Sequence, residues 1–336
     1  MKKVDSIKRL HKLLGEVQTN VDDYEKAGLY NDIASLYAEQ AKYEQSLRYY
    51  KESLVLRQKI KDRSGEAKTI NNISQIYKTF GDYDTSLKYL KQSLAIQQAI
   101  RDMQGEGTTL NNISQIYDAR GDYETALGYL KRSLSIRQEI GDKAGEGATF
   151  NNLSAVYHAR GDYETALEYL KQSLEIQQEI GNKSGEGATL NNISQIYIAR
   201  GDYETALEYL KRSLAIRQEI GDKAGEGATL NNLSEVYNER GDYDTALRYL
   251  EESLSIKKEI GDVSGLCSTL FNIGHIHAEN EDLQQAFQAW LTAYQIAKSK
   301  NIIQALNALK KLAKQLNLPG GIDGWDKLLK QVEKDS

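Results

Sequence analysis

The sequence predicts an all-α protein in which pairs of helices stack into a solenoid. Three observations predict this fold class. The motif Asn-Asn-Ile/Leu-Ser-x-Ile/Val-Tyr recurs every 40 residues, and each full copy is followed by Gly-Asp-Tyr. A fixed period of this size is typical of arrays in which one supersecondary unit stacks on the next. The only proline is Pro319, so no proline interrupts the helices before it. Full copies of the motif start at Asn71, Asn111, Asn151, Asn191 and Asn231, with weaker copies at Asn31 and Phe271.

The first helix of a repeat is predicted from the spacing of its apolar and small residues. In residues 187–200 they fall at i, i+3, i+4 and i+7, which is one face of a helix. These residues are Leu190, Ile193, Ser194 and Tyr197. Gly201 suits the left-handed residue that ends a helix, and Asp202 can cap the next one through its carboxylate.

The second helix of the same repeat carries its own apolar face, and Gly221 is predicted to end it. We expect it to bury Tyr203, Ala206, Leu207, Leu210, Leu214 and Ile216. The small residues Ser194 and Ala206 let the paired helices approach each other, since helix axes pack about 8–10 Å apart depending on the side chains at the contact. Each repeat is therefore predicted to be two antiparallel helices joined by a tight turn.

Pairs of glycines flank a glutamate where one repeat meets the next. They are Gly105 and Gly107, Gly145 and Gly147, Gly185 and Gly187, and Gly225 and Gly227. Glycines at this spacing can cradle phosphate, but such a loop follows a strand and would not recur four times in the same phase. We interpret the pairs as sites of close helix approach.

Composition narrows the function classes. The net charge of -5 argues against nucleic acid, which usually needs a basic face. Cys267 is the only cysteine, so neither an intramolecular disulfide nor a CxxC motif is present, which favours a reducing compartment. We expect no secretory signal, no membrane span and a cytoplasmic location.

Catalytic and metal sites are not predicted. His275 and His277 are two residues apart on a helix and point to different sides, which makes them a poor metal pair. No phosphate loop, nucleophile elbow or zinc motif is found in the sequence. We therefore expect no cofactor, no metal and no enzymatic activity.

The repeat resembles the tetratricopeptide repeat family. Its large, small, aromatic and glycine positions match the family signature along one repeat: Leu190, Ile193, Ser194, Tyr197, Gly201, Tyr203, Ala206 and Leu210. The period of 40 residues and the absence of a closing proline differ from the usual 34-residue form. The variant resembles the repeats of polarity adaptors, kinesin light chains and bacterial tetratricopeptide arrays. The resemblance implies a right-handed superhelix whose first helices line a concave groove that binds peptides or proteins.

The arc of the first helix opposite its buried face is the candidate binding surface. One position on this arc differs in every copy from the second to the sixth, and the sequence there reads Lys78, Asp118, His158, Ile198 and Asn238. We predict a constant amide floor and a varied position that reads the partner. The predicted peptide-binding residues are Asn71, Asn72, Gln75, Lys78, Asn111, Asn112, Gln115, Asp118, Asn151, Asn152, His158, Asn191, Asn192, Gln195, Asn231, Asn232, Glu235, Asn238 and Glu239. The alternative is that the asparagines bond to neighbouring helices and shape the array.

The ends of the array are predicted to be caps. We divide the chain into a capping helix at 1–22, seven repeats at 23–299 and capping helices at 300–336. On one side of the first helix we expect Val4, Ile7, Leu10, Leu14 and Val17. In the last two helices we expect Ile302, Leu306, Leu309 and Leu316, and then Ile322, Trp325, Leu329 and Val332. A docking or dimerisation surface around Trp325 is the alternative at the C-terminal end.

The function predicted from these features is a scaffold or adaptor for proteins or peptides. Glu235, Glu239 and Glu279 favour a partner with basic residues at one end. No nucleic acid or membrane partner is expected. Two alternatives stay open: a self-associating structural solenoid, and a regulatory subunit of a separate effector enzyme.

Overall fold

The structure, a computed structural model, describes residues 2–17 and 21–335. Every regular element in these residues is an α-helix, so the predicted all-α class is confirmed. The helices are α1 (Lys2–Val17), α2 (Asp23–Glu39), α3 (Tyr43–Lys59), α4 (Arg63–Thr79), α5 (Tyr83–Ile100), α6 (Met103–Ala119), α7 (Tyr123–Glu139), α8 (Lys143–Ala159), α9 (Tyr163–Glu179), α10 (Lys183–Ala199), α11 (Tyr203–Glu219), α12 (Lys223–Glu239), α13 (Tyr243–Ile260), α14 (Val263–Glu279), α15 (Leu283–Lys300), α16 (Ile303–Gln315) and α17 (Asp323–Asp335).

The helices fall into two compact units. The boundary between them in the sequence lies between Gly201 and Asp202. In Lys2–Gly201, α2 packs with α3, α4 with α5, α6 with α7, and α8 with α9. In the part from Asp202 onward, α12 packs with α13 and α14 with α15. Each of these is the helix-turn-helix pair that the 40-residue period predicts.

The turns use the residues that the sequence predicts for them. Gly81 lies in the left-handed region with φ of 74°, and its N–H donates to the carbonyl of Lys78 at 2.9 Å. Asp82 then accepts a hydrogen bond from the backbone N–H of Thr85 at 3.1 Å, which caps α5. Gly201 and Gly221 have φ of 75° and 65°, so both predicted helix ends are confirmed. The terminal copies make the same turn without glycine, with Ala41 and Glu281 at positive φ.

The predicted core of a repeat is confirmed in part. Leu190, Ile193 and Ser194 are buried on α10, as Ala206, Leu207 and Leu210 are on α11. Tyr203, Leu214 and Ile216 are only half-buried, against expectation. The buried face of α11 continues instead through Ser213 and Arg217, because these side chains reach the helix that follows.

The glycine pairs lie where helices meet closely, as predicted. A Cβ on Gly147 would overlap the amide of Gln177, and one on Gly145 would overlap the guanidinium of Arg137. The carbonyl of Gly147 also accepts a hydrogen bond from Ser173 Oγ at 2.9 Å. Gly145 and Gly147 therefore make room for side chains of the preceding and following helix, whereas a Cβ at Gly107 or Gly227 would make only ordinary contacts.

Neighbouring repeats within Lys2–Gly201 are closer on one side than on the other. The first helices of successive repeats contact each other, α4 with α6, α6 with α8 and α8 with α10. Among the residues described there, second helices of successive repeats make no contact of comparable extent. The side with the closer neighbours is the inner side of a curved stack, so the first helices line it.

The ends are closed by apolar contacts. Leu13 of α1 packs against Ile33 and Leu36. Trp325 of α17 is fully buried, and its indole N–H donates to the carbonyl of Leu309 at 3.0 Å. The Trp325 side chain itself therefore contributes no exposed surface, and a docking or dimerisation surface around it stays a prediction.

The remaining predictions about the ends have mixed outcomes. Leu14 and Val17 pack with Leu13 against α2. The side chains of Val4, Ile7, Leu10 and Val332 lie outside the described residues. The division into two caps and seven repeats stays a prediction.

In the pair formed by α14 and α15, a small residue makes room for a large one. Trp290 fills the position that Leu210 and Leu250 hold in earlier repeats, and it is 2% exposed. Gly274 stands where Ser194 and Ser234 stand in those repeats. Any Cβ at Gly274 would overlap the indole ring of Trp290. The glycine therefore creates the space that the larger ring needs.

Candidate functional site

The predicted amides lie on the first helices and form a chain of hydrogen bonds across the repeats of Lys2–Gly201. The second asparagine of each repeat donates through Nδ2 to Oδ1 of the first asparagine in the repeat before. These bonds run from Asn72 to Asn31 at 3.1 Å, from Asn112 to Asn71 at 2.8 Å, from Asn152 to Asn111 at 3.0 Å and from Asn192 to Asn151 at 3.0 Å. The periodicity of 40 residues thus brings together side chains that are 41 residues apart in sequence.

The first asparagine of a repeat also contacts the repeat that follows. Asn71 Nδ2 donates to Thr109 Oγ1 at 2.6 Å, and Asn151 Nδ2 donates to Thr189 Oγ1 at 2.9 Å. In the part from Asp202 onward, Thr269 Oγ1 donates to Asn231 Oδ1 at 3.3 Å. Asn71 and Asn191 are 8% and 9% exposed. The first asparagines thus hold successive helices together, which is the structural alternative that the sequence left open.

The second asparagines are more accessible. Asn72, Asn112 and Asn152 are half-buried, and so are Asn192 and Asn232. For Asn112 and Asn152, the described residues offer no hydrogen bond to the side-chain Oδ1. These amides keep an acceptor and one amide hydrogen that a ligand can bond. Ligand contact by the predicted site residues stays a prediction.

The varied position begins with two half-buried side chains of opposite charge on adjacent first helices, Lys78 and Asp118. Lys78 Nζ donates to Gln115 Oε1. Burial lowers the pKa of Lys78, and the charge of Asp118 opposes that effect. Burial likewise raises the pKa of Asp118, with Lys78 opposing, and Asp118 Oδ1 has no hydrogen-bond partner among the described residues. Both groups are thus partly withdrawn from water.

Further along the same position the side chains are also half-buried. The ring centroid of His158 lies 5.6 Å from that of Tyr163, and burial lowers the pKa of this histidine. Ile198 is half-buried. Asn238 donates to Glu279 at 2.7 Å, while its Oδ1 has no partner in the described part of the chain. In sequence order, the varied position therefore changes from a cation to an anion, an imidazole, an alkyl group and an amide.

Two clefts open beside these residues, one in each unit. In Lys2–Gly201 a cleft of about 440 Å³ lies between α4 and α6 and is lined by Asn71, Asn72, Gln75 and Gln97 among others.

From Asp202 onward, a cleft of about 430 Å³ lies between α12 and α14. Its lining includes Glu235, Asn238, Glu239, Phe271 and His275. Partial removal of water from the Glu235 carboxyl and the charge of Glu239 raise the pKa of Glu235.

Cys267 and His275, whose residue types often act in catalysis, pack against neighbouring residues of the fold. Cys267 is 1% exposed, and burial raises the pKa of its thiol to about 11, so the thiolate nucleophile is suppressed. His275 lies against Trp290, whose indole N–H is 3.3 Å from its Nδ1. Across the described residues, no group of three or more metal-ligating side chains comes together. The expectation that the chain is not an enzyme stays a prediction.

Sequence reasoning missed a second set of repeated polar contacts. A buried glutamate recurs on the first helices, for example Glu146, which accepts hydrogen bonds from Gln138 at 2.9 Å and from Lys143 at 3.0 Å. A buried arginine or glutamine recurs near the end of the second helices, for example Arg137 and Gln177. Both recur at the same 40-residue period, which was the available signal.

Comparison with known proteins identifies the repeat. A family model described as a tetratricopeptide repeat matches residues 25–99, 105–179 and 185–259, which is more than half of the chain. No curated protein matches the sequence. Among the described helices, none is long and apolar enough to cross a membrane.

Solved structures with the same fold share little sequence. A Rap protein complexed with Competence and Sporulation Factor is 18% identical with a TM-score of 0.68, and the match covers 86% of this chain and 79% of that one. The Rap conjugation gene regulator of plasmid pLS20, in complex with the Phr* peptide, is 16% identical with a TM-score of 0.60, over 78% and 72%. BtubC from P. vanneervenii is 22% identical with a TM-score of 0.52, over 67% and 91%. The repeated helix pairs, their turn residues and the match of the family model together show that the chain belongs to the tetratricopeptide repeat family.

Proposed function

We propose that this chain is a scaffold that binds an extended segment of a partner protein along its first helices. The observation that carries the proposal is the row of half-buried second asparagines, which recur once per repeat on adjacent helices. Helices pack about 8–10 Å apart, and an extended chain advances about 3.3 Å per residue. One amide therefore meets about every third residue of such a partner, and it can bond the main chain whatever the sequence.

Specificity would come from the varied position and its neighbours. Lys78, Asp118 and His158 differ in charge and shape while the asparagines beside them do not change. In the cleft between α12 and α14, the carboxylates of Glu235 and Glu239 favour a basic residue of the partner. The ring of Phe271 in the same cleft can contact the apolar stem of a lysine or arginine.

The fold comparison supports a binding role without naming the partner. Two of the solved structures with this fold are Rap proteins, one complexed with Competence and Sporulation Factor and one with the Phr* peptide. Their sequence identities to this chain are 18% and 16%, so the similarity is one of fold alone. The partner of this chain must therefore be found by experiment.

A fluorescence anisotropy screen of a random extended-peptide library against the full chain tests the proposal. We expect a subset of peptides to bind, with a preference for Lys or Arg near one end. Asn112→Ala or Asn152→Ala should weaken binding about tenfold, the loss of one to two hydrogen bonds. Lys131→Ala, an exposed change on α7, is the control and should have no effect. The absence of any binding peptide, or equal binding by the asparagine variants, would refute the proposal.

A further inference from the structure

A further cleft lies in the unit from Asp202 onward, between α14 and α16. Because α16 begins 40 residues after α14, it holds the place of a first helix in the array. The cleft has a volume of about 220 Å³, and none of the residues that line it is charged. Its apolar lining is formed by Cys267, Phe271, Ala305, Ala308 and Leu309. Phe271, Ala305 and Ala308 are half-buried, so part of their apolar surface is still open to a ligand.

Two apolar side chains stand here where an interior repeat has a polar link. Between α4 and α6, Asn71 Nδ2 donates to Thr109 Oγ1 at 2.6 Å. The equivalent residues of α14 and α16 are Phe271 and Leu309, and both line the cleft. An apolar wall that borders open space lacks the contacts that an apolar ligand can supply. The cleft therefore favours an apolar side chain.

Asn272 borders this cleft and also the cleft between α12 and α14. It is the second asparagine of its repeat, and it is exposed. In the other unit, second asparagines such as Asn112 and Asn152 donate to the repeat before. No hydrogen bond joins the Asn272 side chain to another described residue. Its carbonyl oxygen and both amide hydrogens are therefore available to the main chain of a partner.

The two clefts that Asn272 borders differ in charge. Glu235 and Glu239 line the cleft between α12 and α14, whereas no charge lines the cleft between α14 and α16. Neighbouring helices pack about 8–10 Å apart, so we expect a similar distance between the two clefts. In a polyproline II segment, residues three positions apart lie on the same side and about 9 Å from each other. Such a segment can place one side chain in each cleft.

We propose that these clefts bind a basic residue and an aliphatic residue that lie three positions apart in one partner segment. The carboxylates of Glu235 and Glu239 attract the Lys or Arg, and the Leu, Ile or Val enters the cleft between α14 and α16. The Asn272 amide bonds the main chain between them. The volume of about 220 Å³, against about 430 Å³ for the neighbouring cleft, favours an aliphatic over an aromatic side chain. The inference deepens the proposed function and rests on it for the extended conformation of the partner.

The test is fluorescence anisotropy of the full chain with short labelled peptides that carry one Lys and one Leu in a Ser-Pro host. Leu is placed two, three or four positions from Lys, in both orders. We expect one order with the spacing of three to bind about tenfold more tightly than the other spacings and than its Leu-to-Ala analogue, the effect of burying about two methylene groups. A peptide with Asp in place of Lys should not bind, because it meets Glu235 and Glu239.

Ala308→Leu fills the cleft with a side chain of the chain itself. It should abolish the preference for Leu over Ala in the peptide and retain the preference for Lys. Ala148→Leu on α8 is the matched control, since Ala148 occupies the equivalent position, and it should change neither preference. Asn272→Ala should weaken binding of the peptides about tenfold, the loss of one to two hydrogen bonds. The peptide series itself needs no variant of the chain, so the test does not depend on how the variants fold.

Equal affinity for the Leu and Ala peptides, or no binding by any peptide of the series, would overturn the proposal. A preference for Leu that survives in Ala308→Leu would do the same. If light scattering shows a dimer that Ala308→Leu converts to a monomer, the cleft belongs to a second copy and the proposal is wrong. Failure of the proposed function is a separate result. In that case Asn112→Ala and Asn152→Ala leave binding of library peptides unchanged, while the peptide with the spacing of three still responds to Ala308→Leu.

Discussion

Asn112 donates a hydrogen bond from its side-chain Nδ2 to Oδ1 of Asn71, at 2.8 Å, across the boundary between two repeats. Asn71 in turn donates to Thr109, which lies one turn before Asn112 on α6. The two residues therefore form a reciprocal link between α4 and α6. Asn71 is 8% exposed, so this link is largely shielded from water.

The first prediction concerns that link. Asn71→Ala should lower the free energy of unfolding by about 1–3 kcal/mol, because it leaves buried groups on α6 unpaired. Asn112→Ala should cost less, about 0.5–1.5 kcal/mol, since Asn112 is half-buried. A double-mutant cycle by chemical denaturation should give a coupling energy of about 1 kcal/mol. Hydrogen exchange should accompany it, because arrays can unfold in parts. Strict additivity of the two changes would contradict the link.

The second prediction concerns a turn residue. Arg101 has φ of 57°, in a region where Gly141, Gly181 and Gly221 stand at the equivalent turns. A left-handed conformation costs an L-residue about 1–2 kcal/mol. Arg101→Gly should therefore raise the free energy of unfolding, by roughly 0.5–1 kcal/mol after the entropy of glycine is deducted.

The reciprocal change is the control for Arg101. Gly141→Ala should lower the free energy of unfolding by about 1 kcal/mol, since it introduces the same strain. Both effects are read from the midpoint of chemical denaturation. If both variants change stability in the same direction, the backbone explanation fails.

The third prediction tests the size compensation in the last helix pair. Gly274→Ser should destabilise by about 1–3 kcal/mol, because the added atoms overlap the indole ring of Trp290. Trp290→Leu should also destabilise, by about 2–5 kcal/mol, because it leaves a cavity. The double variant restores the pair that Ser234 and Leu250 form in the preceding repeat. It should be more stable than the sum of the single effects predicts, and a purely additive result would exclude the compensation.

The fourth prediction concerns pH and Glu235. Glu235 is exposed, but partial removal of water from its carboxyl by neighbouring groups and the charge of Glu239 raise its pKa above the ordinary value of 4.5, so the folded chain binds this proton more tightly than the unfolded chain does. The resulting stabilisation is present below pH 4.5 and is lost as the pH rises through the folded pKa. Glu235→Gln should therefore be more stable than the unaltered chain at neutral pH, with the difference vanishing in acid.

The control for Glu235 uses the charge that faces it. In a Glu239→Gln background the benefit of Glu235→Gln at neutral pH should shrink, because one cause of the raised pKa is removed. Gln75, Gln115 and Gln195 stand at the equivalent position, so the new residue is one the array already contains. Thermal denaturation between pH 4 and pH 8, about the range in which carboxyl and histidine groups titrate, measures both effects. A gain that persists unchanged in acid would argue against a role for ionisation.

The helix pairs and their turns could be predicted from the sequence because their causes are local. Gly81 and Asp82 determine a turn through their own backbone and side chain, and the apolar spacing around Leu190 determines a buried face. The buried Arg137 could not be predicted in this way. Its burial depends on Asp142 at the start of the next helix and on the absence of a side chain at Gly145.

The same distinction applies to the candidate site. The spacing of the apolar residues places Asn71 and Asn72 together on the opposite arc of the helix, but it could not tell which amide a neighbouring helix would cover, and Asn71 is buried. That depends on the contact of Asn71 with Thr109 and Asn112 in the following repeat. Trp325 is likewise one of the apolar residues expected in the last helix, and only the structure shows that its side chain is buried, with the indole N–H donating to the carbonyl of Leu309.

The amide links have a consequence for how the chain can change its length. Phe271 occupies the position at which the preceding repeats have their first asparagine, whose side-chain oxygen can accept a hydrogen bond from the following repeat. α14 therefore has no amide acceptor at this position. Trp290 and Gly274 form a pair of a large and a small residue, which a repeat with Leu and Ser at these positions would not match. We therefore expect additional 40-residue copies to fit best among the repeats in which both neighbours supply matching amides.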